Sequence, residues 1–259
     1  MLVCVSTAAK TTVPVPVLTE SPSAVTHSKV LPTSSINFSK LKGVLFDIDG
    51  TLTHSDPLHL LTYQDILVEV GYNNGVPIDW AFFNAHISGR HNPEICAELF
   101  PDWTEERQRW VYETKEERFR EMAESVLVEV EGLTAFRDWI ASMGLRVAAV
   151  TNAPRLNADL MLSALGLSTY FETLVIGEEC SKPKPDPEPY LQALSFLSLA
   201  PIDTIIIEDS CAGITAGVAA GVLVVGLSTS QAPEKLLAAG ADFVVADFAE
   251  LLQVIKAQG

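Results

Sequence analysis

Short apolar runs alternate with helical stretches from Leu41 onward, and this alternation limits the fold more than any other feature. The runs predict strands at Gly43–Asp49, Leu145–Asn152, Leu174–Gly177, Thr204–Asp209, Val222–Leu227 and Phe243–Ala246. Several runs are apolar at consecutive positions, which is typical of parallel strands covered on both faces. Helices predicted between them include Leu133–Met143, Arg155–Leu165, Pro187–Leu197 and Cys211–Ala220. The pattern predicts an α/β fold with a doubly wound, Rossmann-like parallel sheet.

One interval departs from this alternation. Between the first two predicted strands, the sequence contains no convincing strand and indicates the helices Leu58–Val70, Ile78–Ile87, Asn92–Leu99 and Glu105–Val126. A crossover between neighbouring parallel strands normally needs one helix, so some seventy residues of helix predict an inserted α-helical cap domain. We therefore expect a tail at 1–40, a core domain formed by 41–55 plus 128–259, and a cap at 56–127.

The first forty residues have a different composition from the rest. They hold seven Ser, six Thr, one acidic residue and no Arg, and four prolines interrupt any regular element. Such a stretch is either a disordered tail or a plastid transit peptide, which is Ser-rich and poor in acids. If this stretch is a transit peptide, we expect the protein in the plastid. If it is not, we expect the protein in the cytoplasm.

Composition and charge narrow the classes of partner. Apolar residues make up 48% of the chain, enough for a sizeable core, and the formal net charge is −16. A body this acidic repels a phosphate backbone, so we expect no nucleic-acid partner. No apolar run reaches the ~18 residues that a membrane span needs. The four cysteines form no C-x-x-C pair, which indicates free thiols. We expect a monomer or a weak homodimer.

The first predicted strand ends in two aspartates. Asp47 and Asp49 lie one residue apart, at the end of a sheet where ligands of open α/β folds bind. Two carboxylates about 4 Å apart repel by roughly 4 kcal/mol at an effective dielectric constant of about 20, so the pair needs a cation or a proton. Mg²⁺ prefers such oxygen ligands, and Gly50 can leave amides free for phosphate oxygens. The alternative is a helix cap and a loop carboxylate without chemistry.

Three further motifs carry polar side chains. Thr151-Asn152 ends the second predicted strand, where a hydroxyl suits a phosphate oxygen or simply caps a helix. Lys184 lies in the rigid, proline-rich stretch SKPKPDPEPY, with Lys182 as the competing cation. Glu208-Asp209 ends another apolar strand, so two strands could supply both sides of one metal site. Nucleotide-binding motifs of the G-x-G-x-x-G and P-loop types are absent from the sequence.

These motifs, in order, resemble those of the haloacid dehalogenase-like hydrolase superfamily, in the branch with a helical cap after the first strand. FDIDGTL, VTN, KPDPEPY and IIIEDS correspond to its four motifs, and the resemblance covers about residues 41–250. The stretches GYNNGVPID, GRHNPEI and AAVTNAPR are most similar to the plant broad-range sugar-phosphatase type within that superfamily.

The resemblance implies roles for the acidic residues. Asp47 would be the nucleophile that takes the phosphoryl group, and Asp49 the general acid and then the base. Asp209 would bind Mg²⁺ together with Asp47 and the backbone carbonyl of Asp49, with Glu208 in support. An aspartate at position 49 argues for phosphate chemistry, because members that break carbon–halogen bonds need neither Mg²⁺ nor an acid there.

The resemblance also implies a phosphate site and a substrate site. The spacing K-P-x-P-x-x-Y selects Lys184 over Lys182, and Lys184 would hold the transferring phosphoryl group with Gly50, Thr151 and Asn152. Substrate choice would lie in the cap, for which the candidate residues are His59, Arg90, His91, Asn92 and Lys115.

The function that these features predict is Mg²⁺-dependent hydrolysis of small phosphorylated sugars through an aspartyl-phosphate. Two alternatives use the same chemistry: a β-phosphoglucomutase-type mutase, and a phosphatase for another metabolite such as glycerol phosphate or a flavin nucleotide. A non-catalytic binding protein with this fold is a third alternative, but such proteins usually lose the nucleophile or the lysine, and both are present here.

Overall fold

A sheet of six parallel strands forms the centre of the molecule. The computed structural model describes residues 36–258. The strands are β1 (Gly43–Phe46), β2 (Arg146–Thr151), β3 (Thr173–Ile176), β4 (Thr204–Glu208), β5 (Leu223–Leu227) and β6 (Phe243–Val245). Their order, β3-β2-β1-β4-β5-β6, runs outward from β1 on both sides. The prediction of a doubly wound parallel sheet is confirmed.

Ten α-helices accompany this sheet in the described part of the chain. They are α1 (Asp56–Glu69), α2 (Trp80–His86), α3 (Asn92–Leu99), α4 (Glu105–Ala123), α5 (Leu133–Met143), α6 (Arg155–Ala164), α7 (Glu188–Phe196), α8 (Cys211–Ala219), α9 (Pro233–Ala238) and α10 (Phe248–Gln258). None of these helices is both long and apolar enough to cross a membrane.

Both faces of the sheet are covered, which explains its consecutive apolar residues. Val44 and Phe46 of β1 point into one apolar cluster, and Leu45 between them points into the other. All three side chains are fully buried. Strand β1 ends at Phe46, earlier than predicted, and the chain then turns through Gly50, which has a φ of 72°. Asp47 still donates its amide to Ile207 of β4, at 3.1 Å, so its position is fixed by the sheet.

The helices between β1 and β2 pack around an apolar cluster of their own. This third cluster includes Tyr63 and Ile66 of α1, Phe83 of α2, Ile95 of α3 and Val111 of α4. The long helix α4 packs against both α1 and α3. Helices α1–α4 thus have a cluster of their own, while Leu58 of α1 and Phe119 and Ala123 of α4 also join the larger cluster beside the sheet.

The structure describes the chain from Ile36 onward and so includes the last five residues of the predicted tail at 1–40. Phe38 is 5% exposed and belongs to the larger apolar cluster beside the sheet. The amide of Ile36 donates to Oε1 of Gln258, 2.8 Å away, at the end of α10. Residues 36–40 therefore pack onto the core, and their apolar signal is hidden among Ser, Thr and Pro. The interpretations of residues 1–35, as disordered or as a transit peptide, lie outside the described residues.

Candidate active site

The polar side chains that end β1, β2 and β4 meet at one edge of the sheet. These three strands are neighbours and parallel, so their carboxyl ends lie side by side. A cleft lies between this edge and helices α1–α4. Most predicted site residues line it, namely Asp47, Asp49, His59, Arg90, Asn92, Lys115, Thr151, Asn152, Lys184 and Asp209.

Lys184 lies at the centre of this edge. Its Nζ donates to Oδ1 of Asp47, Oε1 of Glu208 and the carbonyl of Val150, each at 2.7 Å. Its side chain is 2% exposed, so the two ion pairs are shielded from solvent. Lys182, by contrast, is 72% exposed and pairs with Asp186 on the surface. Of the two lysines, only Lys184 reaches the predicted nucleophile.

The pKa of Lys184 shows how strongly its surroundings hold the charge. Burial would by itself lower the pKa of the ammonium group, but the charges of Asp47 and Glu208 outweigh it and raise the pKa above its ordinary value. Lys184 is therefore a permanent cation at the point where an anionic group would have to bind.

Glu208 uses both carboxylate oxygens within the protein. Oε1 accepts from Lys184 and from the hydroxyl of Tyr190, at 2.7 and 2.9 Å. Oε2 accepts from the amides of Asp209 and Ser210 and from the Ser210 hydroxyl, each at 3.0 Å. With five donors already bound, Glu208 is suited to orient Lys184 and the Asp209 backbone, in agreement with its predicted supporting position.

Asp47, Glu208 and Asp209 form a buried acidic cluster. Each offers a carboxylate oxygen, and these oxygens lie within 4.8 Å of one another. Burial raises the pKa of Asp47, with Lys184 opposing and Glu208 adding to this effect. Burial also raises the pKa of Asp209 well above its ordinary value, and the charge of Asp47 adds to it. Both shifts express first the cost of burying the carboxylates and then their mutual repulsion, which Lys184 offsets only in part, so the donor set fits a divalent metal ion.

The carboxylate of Asp49 does not belong to this cluster. It faces helix α1 instead, where Oδ1 lies 2.9 Å from Nε2 of His59. Nδ1 of His59 lies 2.7 Å from Nζ of Lys115, and an ammonium group only donates hydrogen bonds. Nδ1 is therefore the acceptor, and Nε2 carries the proton that is donated to Asp49. Stacking on Phe119, with ring centroids 4.0 Å apart, fixes the imidazole plane.

This arrangement holds Asp49 in its charged form. Burial alone would raise the pKa of its carboxyl group. The positive charge of the His59–Lys115 pair and the hydrogen bond from His59 outweigh burial, so the pKa is lowered. Asp49 is thus presented as a carboxylate that is ready to accept a proton.

Glu116 links the cap side of the cleft to the sheet domain, and the sequence analysis missed it. Its Oε1 accepts from Lys115 Nζ at 2.9 Å and from Asn92 Nδ2 at 2.7 Å. Its Oε2 accepts from Asn157 Nδ2 of α6 at 2.6 Å. Glu116 lies in the highly charged stretch ETKEER, where the sequence pattern indicates a solvated helix face. Its burial, at 5% exposure, is visible only from the packing.

Two further cleft residues carried no clear signal in the sequence. Tyr63 of α1 donates its hydroxyl to Oδ1 of Asn92, at 3.0 Å. Asp56 begins α1, and its Oδ2 lies 3.3 Å from the hydroxyl of Ser88 in the loop after α2. The apolar pattern of α1 hides Tyr63, whereas Asp56 directly before a proline resembles a common helix start.

The structure places the neighbouring candidates Arg90 and His91 beside different cavities. His91 lies outside the cleft and lines a neighbouring groove instead. Arg90 lines the cleft, but its Nη1 donates to Oε2 of Glu98, at 2.5 Å, and to the carbonyl of His86, at 2.9 Å. Two adjacent residues thus line different cavities, which sequence spacing alone does not reveal.

The predicted phosphate-binding groups also have partners within the protein. The Gly50 amide, predicted to be free, donates to the carbonyl of Thr53 at 3.0 Å and to the Ser55 hydroxyl at 3.1 Å. The amide side chain of Asn152 exchanges two hydrogen bonds with the backbone of Lys184, at 3.0 and 3.1 Å. Gly50 therefore shapes the turn, and Asn152 fixes the lysine loop. Thr151 lines the cleft directly.

The chain belongs to the haloacid dehalogenase-like hydrolase family, whose sequence model matches residues 44–227. The resemblance predicted from the four motifs is thereby confirmed, and the protein is an enzyme of the hydrolase class.

Individual relatives match almost along their whole length. A phosphorylated carbohydrates phosphatase from Thermotoga maritima is 30% identical over 220 residues, covering 83% of this chain and 99% of that protein. A validoxylamine A 7'-phosphate phosphatase from Streptomyces hygroscopicus is 30% identical over 226 residues, covering 81% and 95%. The crystal structure of CbbY from Rhodobacter sphaeroides in complex with phosphate has a TM-score of 0.73 and 25% identity, covering 83% and 99%.

A substitution at Gly89 tests whether the loop after α2 must pack closely against Ser210, beside the acidic cluster. Gly89 has a φ of 72°, and a Cβ atom there would lie 2.4 Å from Cβ of Ser210, next to Asp209. We expect Gly89→Ala to lower kcat/KM by about tenfold or more, because the loop must retreat from the cleft. Gly71→Ala is the matched control, since Gly71 has a φ of 76° but open space around it. Equal losses of activity in the two variants would contradict a role for close approach.

Proposed function

We propose that this hydrolase is a Mg²⁺-dependent phosphatase of small sugar phosphates, acting through an aspartyl-phosphate on Asp47. The observation that carries the proposal is the buried Lys184, which joins Asp47 to Glu208 at 2.7 Å beside the acidic cluster. A carboxylate, a fixed cation and a metal-binding set at one sheet edge are what phosphoryl transfer to a side chain requires.

The proposed first step transfers the phosphoryl group to the protein. Lys184 supplies a fixed positive charge beside the phosphoryl oxygens, and Asp47 and Asp209 would bind Mg²⁺, which supplies charge stabilisation when it is bound. A carboxylate oxygen of Asp47 forms a bond to phosphorus while the ester bond to the sugar oxygen breaks. Asp49, which is a carboxylate between turnovers, would take up a proton as the substrate binds and deliver it to that leaving oxygen, so the sugar departs as a neutral alcohol.

The second step releases phosphate. Asp49, now a carboxylate, takes a proton from water as the water oxygen attacks phosphorus and the Asp47–phosphate bond breaks. The hydrogen bond from His59 to Asp49 stabilises this carboxylate form, in agreement with the lowered pKa of Asp49. His59 and Lys115 therefore act as positioning residues that set the protonation state of Asp49.

Two observations support a preference for sugar phosphates: the cap side of the cleft and the names of the relatives. Residues 56–127 would form the cap domain, and 41–55 with 128–259 the core that carries the chemistry. The phosphatase from Thermotoga maritima is named for phosphorylated carbohydrates, which supports a phosphosugar as substrate here. The expected monomer or weak homodimer, the absence of a nucleic-acid partner and the location, plastid with a transit peptide or cytoplasm without one, remain predictions.

Phosphate release from a panel of pentose and hexose phosphates, glycerol phosphate and flavin mononucleotide tests the proposal. We expect release with Mg²⁺, a loss of about 100-fold or more with a chelator, and recovery when Mg²⁺ is added back. Conversion of glucose 1-phosphate to glucose 6-phosphate with little free phosphate would instead support the mutase. No reaction with any member of the panel would contradict both.

A further inference from the structure

The cations of the cleft are all engaged by the protein itself. Among the described residues, three lysine and arginine side chains line it: Arg90, Lys115 and Lys184. Lys184 is bound by the carboxylates at the sheet edge. Lys115 is 2% exposed and is held between His59 and Glu116. Arg90 pairs with Glu98, so none of the three points freely at the end of the cleft away from Lys184.

The cap side of the cleft carries two paired cations, acidic residues and apolar surface. Glu116 and Asp56 both line it, in addition to the acids at the sheet edge. Phe83, Ile87 and Ile95 supply an apolar wall between them. A substrate bound through its phosphate at Lys184 would place the rest of its body among these groups. A second anionic group on that body would meet the carboxylate of Asp56 and two cations, Arg90 and Lys115, that are each already paired with a glutamate.

We propose that this cleft selects phosphate monoesters whose remaining body is uncharged and rejects those with a second anionic group, and that Glu98 is a specificity-determining residue because it holds Arg90. This inference rests on the proposed phosphatase function and narrows its substrates to neutral sugar and polyol monophosphates. Glu98 lies on α3 outside the cleft lining and acts through Arg90, so it is a positioning residue.

The arginines of the neighbouring groove do not cancel the proposed discrimination against substrates with a second anionic group. Arg109, Arg120 and Arg155 line it, but so do Glu113, Glu116, Glu117 and Glu178. Arg155 is paired with Glu179, and Arg120 donates to Asn157. Three-carbon substrates extend the shortest distance from Lys184 and so depend least on this groove.

The matched substrates are sn-glycerol 1-phosphate and 3-phospho-D-glycerate, which share the configuration at C2 and differ by a hydroxymethyl group against a carboxylate. We expect the wild-type protein to show a kcat/KM about tenfold or more lower for the acid, measured with saturating Mg²⁺, because like charges repel in a partly desolvated site. Sorbitol 6-phosphate and 6-phosphogluconate provide the same comparison at six carbons. Equal values for neutral and acidic partners would overturn the inference.

The role of Glu98 is tested by Glu98→Ala, with Glu94→Ala on the same helix as the charge-matched control. Because the Arg90–Glu98 pair is partly solvated, with side chains 30% and 42% exposed, its removal should cost little stability. We expect Glu98→Ala to raise the acid-to-neutral ratio of kcat/KM about three- to fivefold, and Glu94→Ala to leave the ratio unchanged. Adding Arg90→Ala to Glu98→Ala should cancel the gain.

The outcomes separate the inference from the function on which it rests. An unchanged ratio in Glu98→Ala, or a gain that survives removal of Arg90, would overturn the role of Glu98. Failure of the wild-type protein to release phosphate from either member of both pairs, while the full panel is also negative, would overturn the proposed function itself. A shift in both the Glu98 and Glu94 variants would indicate a general effect of net charge and contradict the specific pair.

Discussion

Asp47→Asn is expected to lower the rate of phosphate release by about a thousandfold or more. Asparagine keeps the shape of the side chain and a carbonyl oxygen for the 2.7 Å contact with Lys184, but it lacks the carboxylate that would bond to phosphorus. Phosphate release from the best substrate of the panel, at saturating Mg²⁺, measures the effect. Asp65→Asn, an exposed position on α1, is the control for the change of one charge.

The same variant also reports on the acidic cluster. Burial raises the pKa of Asp47, so its charge opposes folding in the absence of a cation. We therefore expect metal-free Asp47→Asn to unfold at the same temperature as the wild-type protein or higher. Added Mg²⁺ should stabilise the wild-type protein more than the variant, because binding to the folded state raises stability. Full activity in Asp47→Asn would remove Asp47 from the mechanism.

Lys184→Met is expected to impair both stability and catalysis. The substitution leaves the carboxylates of Asp47 and Glu208 buried without their cation, a loss of the kind that costs about 3–5 kcal/mol in free energy of unfolding. Phosphate release should fall about a thousandfold, since no fixed cation would remain at the phosphoryl oxygens. Urea unfolding and a phosphate assay measure the two effects, and Lys182→Met, at a lysine 72% exposed, is the control.

The stability deficit of Lys184→Met should depend on pH with a defined sign. The pKa of Asp47 is already raised in the folded protein by burial, and loss of Lys184 would raise it further. A carboxyl group with a raised folded pKa destabilises the protein as pH rises through that pKa and ceases to do so below its unfolded pKa. The deficit should therefore be largest near neutral pH and shrink on acidification. A deficit that grows on acidification would contradict this account.

The fold and the sheet edge of the site could be predicted because their signals are local. Consecutive apolar residues in TIIIE and RVAAVT identify buried parallel strands, and the acids or hydroxyls that follow them mark the binding edge. The order of these strands in the sheet brings Asp47, Thr151 and Glu208 together without further information. Helix α5 was predicted at its observed bounds, Leu133–Met143, because its apolar stripe is regular and glycines flank it.

The cap contacts could not be predicted because they depend on how four helices pack. Lys115 and Glu116 are adjacent in a charged helix, yet both are buried, and each contacts residues that are distant in sequence. Arg90 and His91 are likewise adjacent, but one lines the cleft and the other the neighbouring groove. The contact between Asp49 and His59 could not be predicted either, because a strand pattern predicts the direction of a carboxylate but not its hydrogen bonds.

Acid-quenched turnover with a ³²P-labelled sugar phosphate tests the central claim most directly. We expect a protein-bound label that appears before free phosphate, maps to the peptide containing Asp47, and is absent from Asp47→Asn. The label should be stable in acid and lost in hydroxylamine, as for an acyl phosphate. Release of free phosphate without any protein-bound label, or a label on a residue other than Asp47, would contradict the account.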